Sequence, residues 1–528
     1  MPHIIWFIRR RTISILFVLI LLLAVAPVVA QPAQNAASQD KGFAAIDAYV
    51  ERQIGELRIP GLALGIVEGD QIVHLKGFGV AGSDGRPVTP ATPFQITSLV
   101  KPMTTVAVMQ LVEAGKLDLD APVQRYLPWF RVADEAASAQ ITIRHLLYHT
   151  SGLPTSAGME YALKGDDRVD ALEQRIRALR SVQLSRPVGQ AYEYSNAGYM
   201  VLGLIIQQIS GQPYEAYMHQ HIYAPLEMRQ TFTDWIEARA HGASSGHRYW
   251  FGMPLPAQLA TDRAILPAGA HTSASAEDVA HFLIAQLGGG RFGDGSILSA
   301  EGVALMQQPT LPRADGHGFW AMGWDGVTTI GNVTTIIKGG DSVNFSSMMI
   351  LFPARRLGLV VLMNANKGLD AALGDLRLKM LPYNVAEMLL GQQPTVFPAD
   401  PKPTVLYAIL FLAVIVQAAG TAQTLRLLRR WRDYSEVRPQ GRSALVRRLG
   451  LPLLCNLGWS LFALVGVPTL FGMPLAHLIY AAPDFGYTLL VSGVIALGWG
   501  IARTAVLWWV LRTKQRAVSV VIGTPAKV

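Results

Sequence analysis

Cysteine is almost absent from this chain of 528 residues, in which Cys455 is the single copy. One thiol cannot form an intrachain disulfide, so a disulfide-stabilised fold is excluded and no redox compartment is indicated. Charged residues are also scarce, at 16% of the chain against 51% for apolar residues. Both the length and the apolar composition indicate a globular core plus further segments, and the apolar residues gather at the two ends.

Basic residues are concentrated in the C-terminal region. Residues 403–528 contain 13 Lys+Arg and 3 Asp+Glu, a net charge of +10, whereas the rest of the chain contains 32 and 34, a net charge of −2. The remainder therefore lacks the excess positive charge that nucleic-acid binding requires. We expect no nucleic-acid partner.

The N-terminus has the pattern of a secretory signal. Three arginines at 9–11 precede an apolar run at 12–30, which ends in the small residues Val28 and Ala30. A run of this length could also remain uncut as a membrane anchor. We therefore expect residues 1–30 to be a signal peptide or an N-terminal anchor, followed by a polar linker at 31–41.

The C-terminal region predicts a membrane domain at 404–528, after a linker at 393–403. Its apolar segments, each long enough to cross a bilayer, are 404–425, 449–470 and 487–511. Eight arginines lie between the first two segments, whereas the loop 471–486 contains no Lys or Arg. Because positive charge stays inside, the arginine loop and the C-terminus should be cytoplasmic and residues 31–403 extracytoplasmic.

Between these parts, residues 42–392 have a globular composition. The strand-like segments are 61–67, 71–79, 334–338, 346–352 and 358–364. The middle of the region, about 140–290, is mostly helical in pattern, and 368–391 predicts one closing helix. Strands at both ends with helices between them predict an α+β fold.

Ser98-Leu99-Val100-Lys101 is the first of three motifs that carry chemistry. A spacing of three puts the serine and the lysine on one helix face. Serine needs an adjacent base to act as a nucleophile, and a lysine can be that base when burial or a neighbouring cation lowers its pKa. Ser38 and Lys41 have the same spacing, but they lie in the linker, whereas Ser98 begins an apolar helical pattern.

The second motif is Tyr194-Ser195-Asn196, and the third is Lys338-Gly339-Gly340. The tyrosine is a second candidate base, because nearby lysines can hold part of it as phenolate, and the asparagine can hydrogen-bond the first lysine. Two glycines at a strand edge let the backbone approach a ligand, so an N–H there could form an oxyanion hole with that of Ser98. Together the motifs predict acyl transfer through a serine intermediate.

In order and spacing, the motifs resemble the serine β-lactamase and penicillin-binding-protein superfamily. The tyrosine indicates its class C β-lactamase and DD-peptidase branch, which also contains esterases. The segment 142–154, ending in His149-Thr150-Ser151-Gly152-Leu153-Pro154, is similar to a motif of that branch. The resemblance covers about 42–392 and implies an antiparallel sheet flanked by helices, with a mostly helical subdomain.

The resemblance also implies a role for each site residue, and His149 and Ser151 would be structural. Ser98 would be the nucleophile with Lys101 as its partner, and Tyr194 would be the general base. The remaining implied groups are Asn196 for orientation, Lys338 for positive charge, and the backbone at Gly340 and Asp341 for the oxyanion hole together with Ser98. No metal or cofactor is implied.

One departure concerns Gly339, because lactam-recognising members usually carry a hydroxyl there. We therefore expect weaker recognition of penicillins than of esters.

The sequence favours a membrane-anchored extracytoplasmic serine hydrolase that acts on D-amino-acid peptides or esters of the cell envelope, with the lipid bilayer as its partner. Two alternatives stay open: a β-lactamase, and a membrane receptor triggered by acylation. The short inner loop at 426–448 argues against the receptor.

Overall fold

A computed structural model describes residues 43–158, 165–257, 262–269, 271–432, 443 and 446–521. The predicted signal peptide and linker at 1–41, with Ser38 and Lys41, lie outside the described residues. The expectations about them stay predictions.

The centre of the described fold is an antiparallel sheet, and the predicted α+β class is confirmed. Its strands are Gly61–Glu68 (β1), Gln71–Gly79 (β2), Leu311–Pro312 (β3), Phe319–Ala321 (β4), Trp324–Ile330 (β5), Val333–Asp341 (β6), Ser346–Phe352 (β7) and Leu357–Met363 (β8). They hydrogen-bond in the order β2-β1-β8-β7-β6-β5-β4-β3. Strands from the two ends of the globular region therefore lie side by side in the sheet, where β1 pairs with β8.

Helices cover both faces of this sheet. The longer ones in this part of the chain are Phe43–Leu57 (α1), Val100–Glu113 (α2), Asn196–Ser210 (α3), Ala276–Leu287 (α4) and Arg377–Leu389 (α5). The shorter ones are Glu135–Gln140, Ile143–Leu147, Ala171–Ala178, Tyr214–Met218, Trp235–Ala240, Ala300–Gln307 and Gly368–Ala372. Most of them lie between β2 and β3, which confirms the predicted helical middle.

Two hydrophobic cores follow from the alternation of side chains along the strands. In β8, Val360 and Leu362 pack into the core beneath α2, α3 and α4. Leu359, Val361 and Met363 pack on the other face, against α1 and α5. The central strands are apolar on both faces because both faces are covered. Full burial of each such side chain stabilises the fold by about 1.5–3 kcal/mol.

The single closing helix expected at 368–391 does not form. Two helices, Gly368–Ala372 and α5, occupy this region and are separated by a turn. Gly374 has φ +105° within that turn, a conformation that ends the first helix. Asp375 then pairs with Arg377 at 2.6 Å at the start of α5.

The C-terminal part contains the three apolar helices that the sequence predicts. They are Lys402–Arg432 (α6), the helical segment Val446–Leu470 (α7) and Pro483–Val521 (α8). Each is long and apolar enough to cross a membrane, and at most 28% of each apolar window is buried. Exposed apolar helix surface of this extent is typical of contact with lipid.

A β-hairpin of the sheet-containing part docks on these helices. Its strands, His247–Trp250 and Met253–Pro256, present Phe251 at the tip. The Phe251 N–H and the Tyr407 hydroxyl both donate to one carboxylate oxygen of Asp484, each at 2.7 Å. Asp484 is buried at the start of α8, and its other carboxyl oxygen accepts the Phe485 N–H at 2.8 Å.

The other end of this hairpin contacts the loop 342–345, which follows β6. The His247 N–H donates to the Asn344 carbonyl at 3.2 Å, and the Asn344 side chain donates to the Ala257 carbonyl at 2.8 Å. Asn366 also donates to the Ser342 carbonyl at 2.5 Å. The hairpin thus connects the apolar helices to the end of β6.

Candidate active site

Ser98 lies in a single 3-10 turn, Thr97–Leu99, that leads into α2. The preceding Thr97 has φ +52°, which is uncommon for a residue other than glycine and is often found at functional sites. Gly269 packs against this turn, where a Cβ atom would lie 2.0 Å from the Thr97 carbonyl oxygen. The strained turn is therefore held by a close backbone contact that only glycine permits.

Lys101 follows one turn later, and its side chain is fully buried. Its Nζ lies 3.0 Å from Ser98 Oγ, 2.8 Å from Asn196 Oδ1 and 2.5 Å from the Ala268 carbonyl oxygen. The structure thus brings the first and second motifs together. The carbonyl of Ala268 is an additional partner that the motif spacing did not indicate.

Burial and the nearby positive charge of Lys338 hold the pKa of Lys101 well below its usual range. A neutral lysine amine has two hydrogens and one lone pair. Asn196 and the Ala268 carbonyl can accept the two hydrogens, so the lone pair is left to face Ser98 Oγ. This geometry suits Lys101 as the base that takes the serine proton.

Tyr194 contacts the same serine from another side, with its hydroxyl 2.7 Å from Ser98 Oγ. Burial, with the charge of Asp325 as a further cause, raises the pKa of Tyr194. Lys101 and Lys338 lie over its ring, at 4.8 Å and 5.3 Å from the centroid. The free site therefore disfavours the phenolate that the sequence suggested, while these cations would stabilise one formed during a reaction.

The second motif is positioned by the start of α3. Ser195 is the N-cap residue of this helix, and its hydroxyl accepts the Gly198 N–H at 3.3 Å. His149, from the segment 142–154, accepts the Ser195 N–H at 3.1 Å and lies against the Tyr194 ring at 4.6 Å. Burial holds the pKa of His149 well below its usual range, so it remains a neutral acceptor.

The third motif lies at the end of β6, beside Ser98. A Cβ atom at Gly340 would lie 2.2 Å from Thr97 Oγ1 and 2.6 Å from the Ile96 carbonyl oxygen. The glycine therefore lets β6 approach the turn that carries Ser98, and it places the next residue, Asp341, beside that turn. Lys338 is buried, with 1% of its side chain exposed, and its Nζ lies 2.5 Å from Asp325 Oδ1.

Asp325 is the residue that the motif analysis missed. Its signal was the hairpin of β5 and β6, in which Ile330 pairs with Val333 and Gly326 pairs with Ile337. Continuing this register places Asp325 opposite Lys338. None of the groups of His, Cys, Asp and Glu among the described residues could hold a metal ion.

Comparison with known proteins places this geometry in a family. The family model described as β-lactamase matches residues 46–381, which contain all three motifs. The chain belongs to the β-lactamase family. The resemblance inferred from the motifs is confirmed.

Two curated relatives of this β-lactamase-family protein illustrate the range of similarity. Penicillin-binding protein 4 of Amycolatopsis lactamdurans is 31% identical over 66% of this chain and 91% of its own length. Protein flp of Staphylococcus aureus (strain MW2) is 28% identical over 394 residues, 73% of this chain and 76% of its own length.

Solved structures share the fold. The octameric penicillin-binding protein homologue from Pyrococcus abyssi has a TM-score of 0.58 and 23% identity over 68% of this chain and 79% of its own. The class C β-lactamase from Rhodobacter sphaeroides has a TM-score of 0.52 and 25% identity over 66% of this chain and 99% of its own.

Proposed function

We propose that this protein is a membrane-anchored serine hydrolase that forms an acyl-enzyme on Ser98. The observation that carries the proposal is the pair of contacts on Ser98 Oγ, from Lys101 Nζ at 3.0 Å and the Tyr194 hydroxyl at 2.7 Å. A serine between a buried amine and a phenol is equipped for covalent catalysis. D-Amino-acid peptides or esters of the cell envelope are the substrate class, which the penicillin-binding relative supports.

In the acylation step, neutral Lys101 takes the proton of Ser98 as Oγ attacks the substrate carbonyl carbon. The developing oxyanion is stabilised by the backbone N–H groups of Ser98 and Asp341. One such donor typically lowers the barrier by about 3 kcal/mol. Tyr194 donates its proton to the leaving group, and the ammonium groups of Lys101 and Lys338 stabilise the resulting phenolate.

Deacylation restores both proton carriers. The Tyr194 phenolate takes a proton from water, and the hydroxide attacks the acyl carbon of the ester. Ser98 leaves as an alkoxide and recovers its proton from Lys101. Asn196 holds Lys101 in place throughout through its contact at 2.8 Å.

The three apolar helices supply the anchor in this proposal. Eight arginines lie between residues 425 and 449, at the facing ends of α6 and α7 and in the segment that joins them, and the loop before α8 contains no Lys or Arg. The positive-inside rule then places the sheet-containing part outside the cytoplasm, where cell-envelope substrates occur. The docked hairpin would hold the active site at the membrane surface.

Mass spectrometry of the full chain in detergent tests the proposal. The chain is incubated separately with a D-alanyl peptide, a neutral ester and a penicillin, and at least one of them should leave an acyl adduct on the peptide that contains Ser98. The same peptide from Ser98→Ala should stay unmodified. An adduct on another serine, or none with any substrate while the protein is folded, would contradict the proposal.

A further inference from the structure

Asp325 lies where the third motif faces the site. One carboxylate oxygen contacts Lys338 Nζ at 2.5 Å, and the other accepts the Gly339 N–H at 2.8 Å. The lysine is buried, whereas 30% of the aspartate side chain is exposed. The carboxylate therefore lies on the more exposed side of the ion pair.

Gly339 makes room for this carboxylate. A Cβ atom at position 339 would lie 3.5 Å from Asp325 Oδ2 and 3.5 Å from Met348 Cε, which is ordinary contact. A branched side chain there would crowd the carboxylate further. Glycine and aspartate are thus complementary: the chain lacks a hydroxyl at 339 and has its own anion next to that position.

The other cations near the end of β6 are paired as well. Among the described residues, Lys379 forms an ion pair with Asp341, and Arg313 pairs with Asp315 at 2.8 Å. Arg313 also donates to the Asp325 backbone carbonyl at 3.0 Å. A substrate carboxylate that enters beside Lys338 would have to displace Asp325 or lie in contact with it. Two carboxylates in contact repel each other because both are negatively charged.

We infer that Asp325 restricts this enzyme to substrates whose leaving group carries no carboxylate next to the scissile bond. Acyl donors with an uncharged or cationic group there are accepted. The inference rests on the proposed function and narrows it: internal peptide bonds, amides and neutral esters fit, whereas penicillins and terminal D-amino acids with a free carboxylate do not. Asp325 is the specificity-determining residue because its carboxylate already forms an ion pair with Lys338, the cation that a substrate carboxylate would need.

Three depsipeptides test the inference on the full chain. They share one acyl half and differ in the leaving group, which is D-lactate, D-lactamide or N-(2-aminoethyl)-D-lactamide. A hydrogen bond to a charged group is worth about ten- to a hundredfold. Wild-type kcat/KM should therefore be at least about tenfold lower for D-lactate than for the other two.

The variant Asp325→Asn removes the charge and keeps the shape. It should raise kcat/KM for D-lactate relative to D-lactamide by at least about tenfold, and Asp325→Ser should act in the same direction. Asp294→Asn is the control, since it removes one exposed carboxylate that takes part in none of these ion pairs, and it should leave the ratio unchanged.

The outcomes separate the inference from the proposed function. If wild type hydrolyses all three substrates and prefers D-lactate, the inference is wrong and the serine hydrolase stands, whether or not the variants fold. The same holds if the ratio is equal in wild type and both Asp325 variants. If no substrate is hydrolysed and Ser98 is never acylated, the proposed function itself fails.

Discussion

Lys101 and Tyr194 are assigned different proton transfers, and two ester substrates distinguish them. Tyr194→Phe removes only the hydroxyl that lies 2.7 Å from Ser98 Oγ, while the ring over which Lys101 and Lys338 lie is kept. If Tyr194 protonates the leaving group, its loss matters for an alkyl ester, whose alkoxide needs a proton. A p-nitrophenolate leaves without one.

The expected sizes follow from the usual range for a general acid or base. Tyr194→Phe should lower the acylation rate about 100-fold for the alkyl ester, about 2.7 kcal/mol in the barrier, and less than about tenfold for the p-nitrophenyl ester. Lys101→Ala removes the proposed base, so it should cost at least about 100-fold with both esters. Single-turnover kinetics on the purified full chain measure both.

Tyr192→Phe is the control, since this tyrosine stacks on Trp320 at 3.6 Å and lies 5.5 Å from the His149 ring, and no proton transfer is assigned to it. It should change neither rate by more than a few-fold. Equal losses for both esters in Tyr194→Phe would refute the assignment. They would mean that Tyr194 takes the serine proton, as the family resemblance implies. Lys101 would then contribute its positive charge rather than act as a base.

Three further outcomes are expected. A fluorophosphonate probe should label wild type and Ser38→Ala but not Ser98→Ala. Equal labelling of all three would refute the assignment of Ser98 as the nucleophile. Because the pKa of Lys101 is lowered and its neutral form is the base, kcat/KM for a p-nitrophenyl ester should rise with pH along a limb well below pH 10.5, and a limb at 10.5 would refute this. Reporter fusions that work only outside the cytoplasm should be active at 400 and 478 and inactive at 440; activity at 440 reverses the topology.

The sequence predicted the fold because its signals are local. The hairpin of β1 and β2 and the pairing of β7 with β8 follow from apolar runs broken by short turns. The closing helix was wrong because a glycine within a helical pattern does not reveal its φ. At Gly374 the left-handed conformation, rather than the apolar periodicity, decides where the helix ends.

The site was predictable only where a motif carried it. Motif residues such as Ser98 and Lys101 stand together in the sequence, and the structure places them in contact. Asp325 and the Ala268 carbonyl come from segments without a motif, so only the three-dimensional packing brings them to the site. The sequence also suggested the phenolate form of Tyr194, because nearby cations favour it. The free-energy cost of burying the phenolate charge depends on packing, which the sequence does not show.

The hairpin between the apolar helices and the loop 342–345 has a thermodynamic consequence. Its tip is bonded to Asp484 at 2.7 Å, and its base is bonded to Asn344, three residues beyond Asp341. If the packing of α6 and α8 changes the free energy of binding at the site, then binding changes the free energy of that packing by the same amount, because coupling is reciprocal. An acylated Ser98 and a rearranged helix bundle would then be two readouts of one equilibrium.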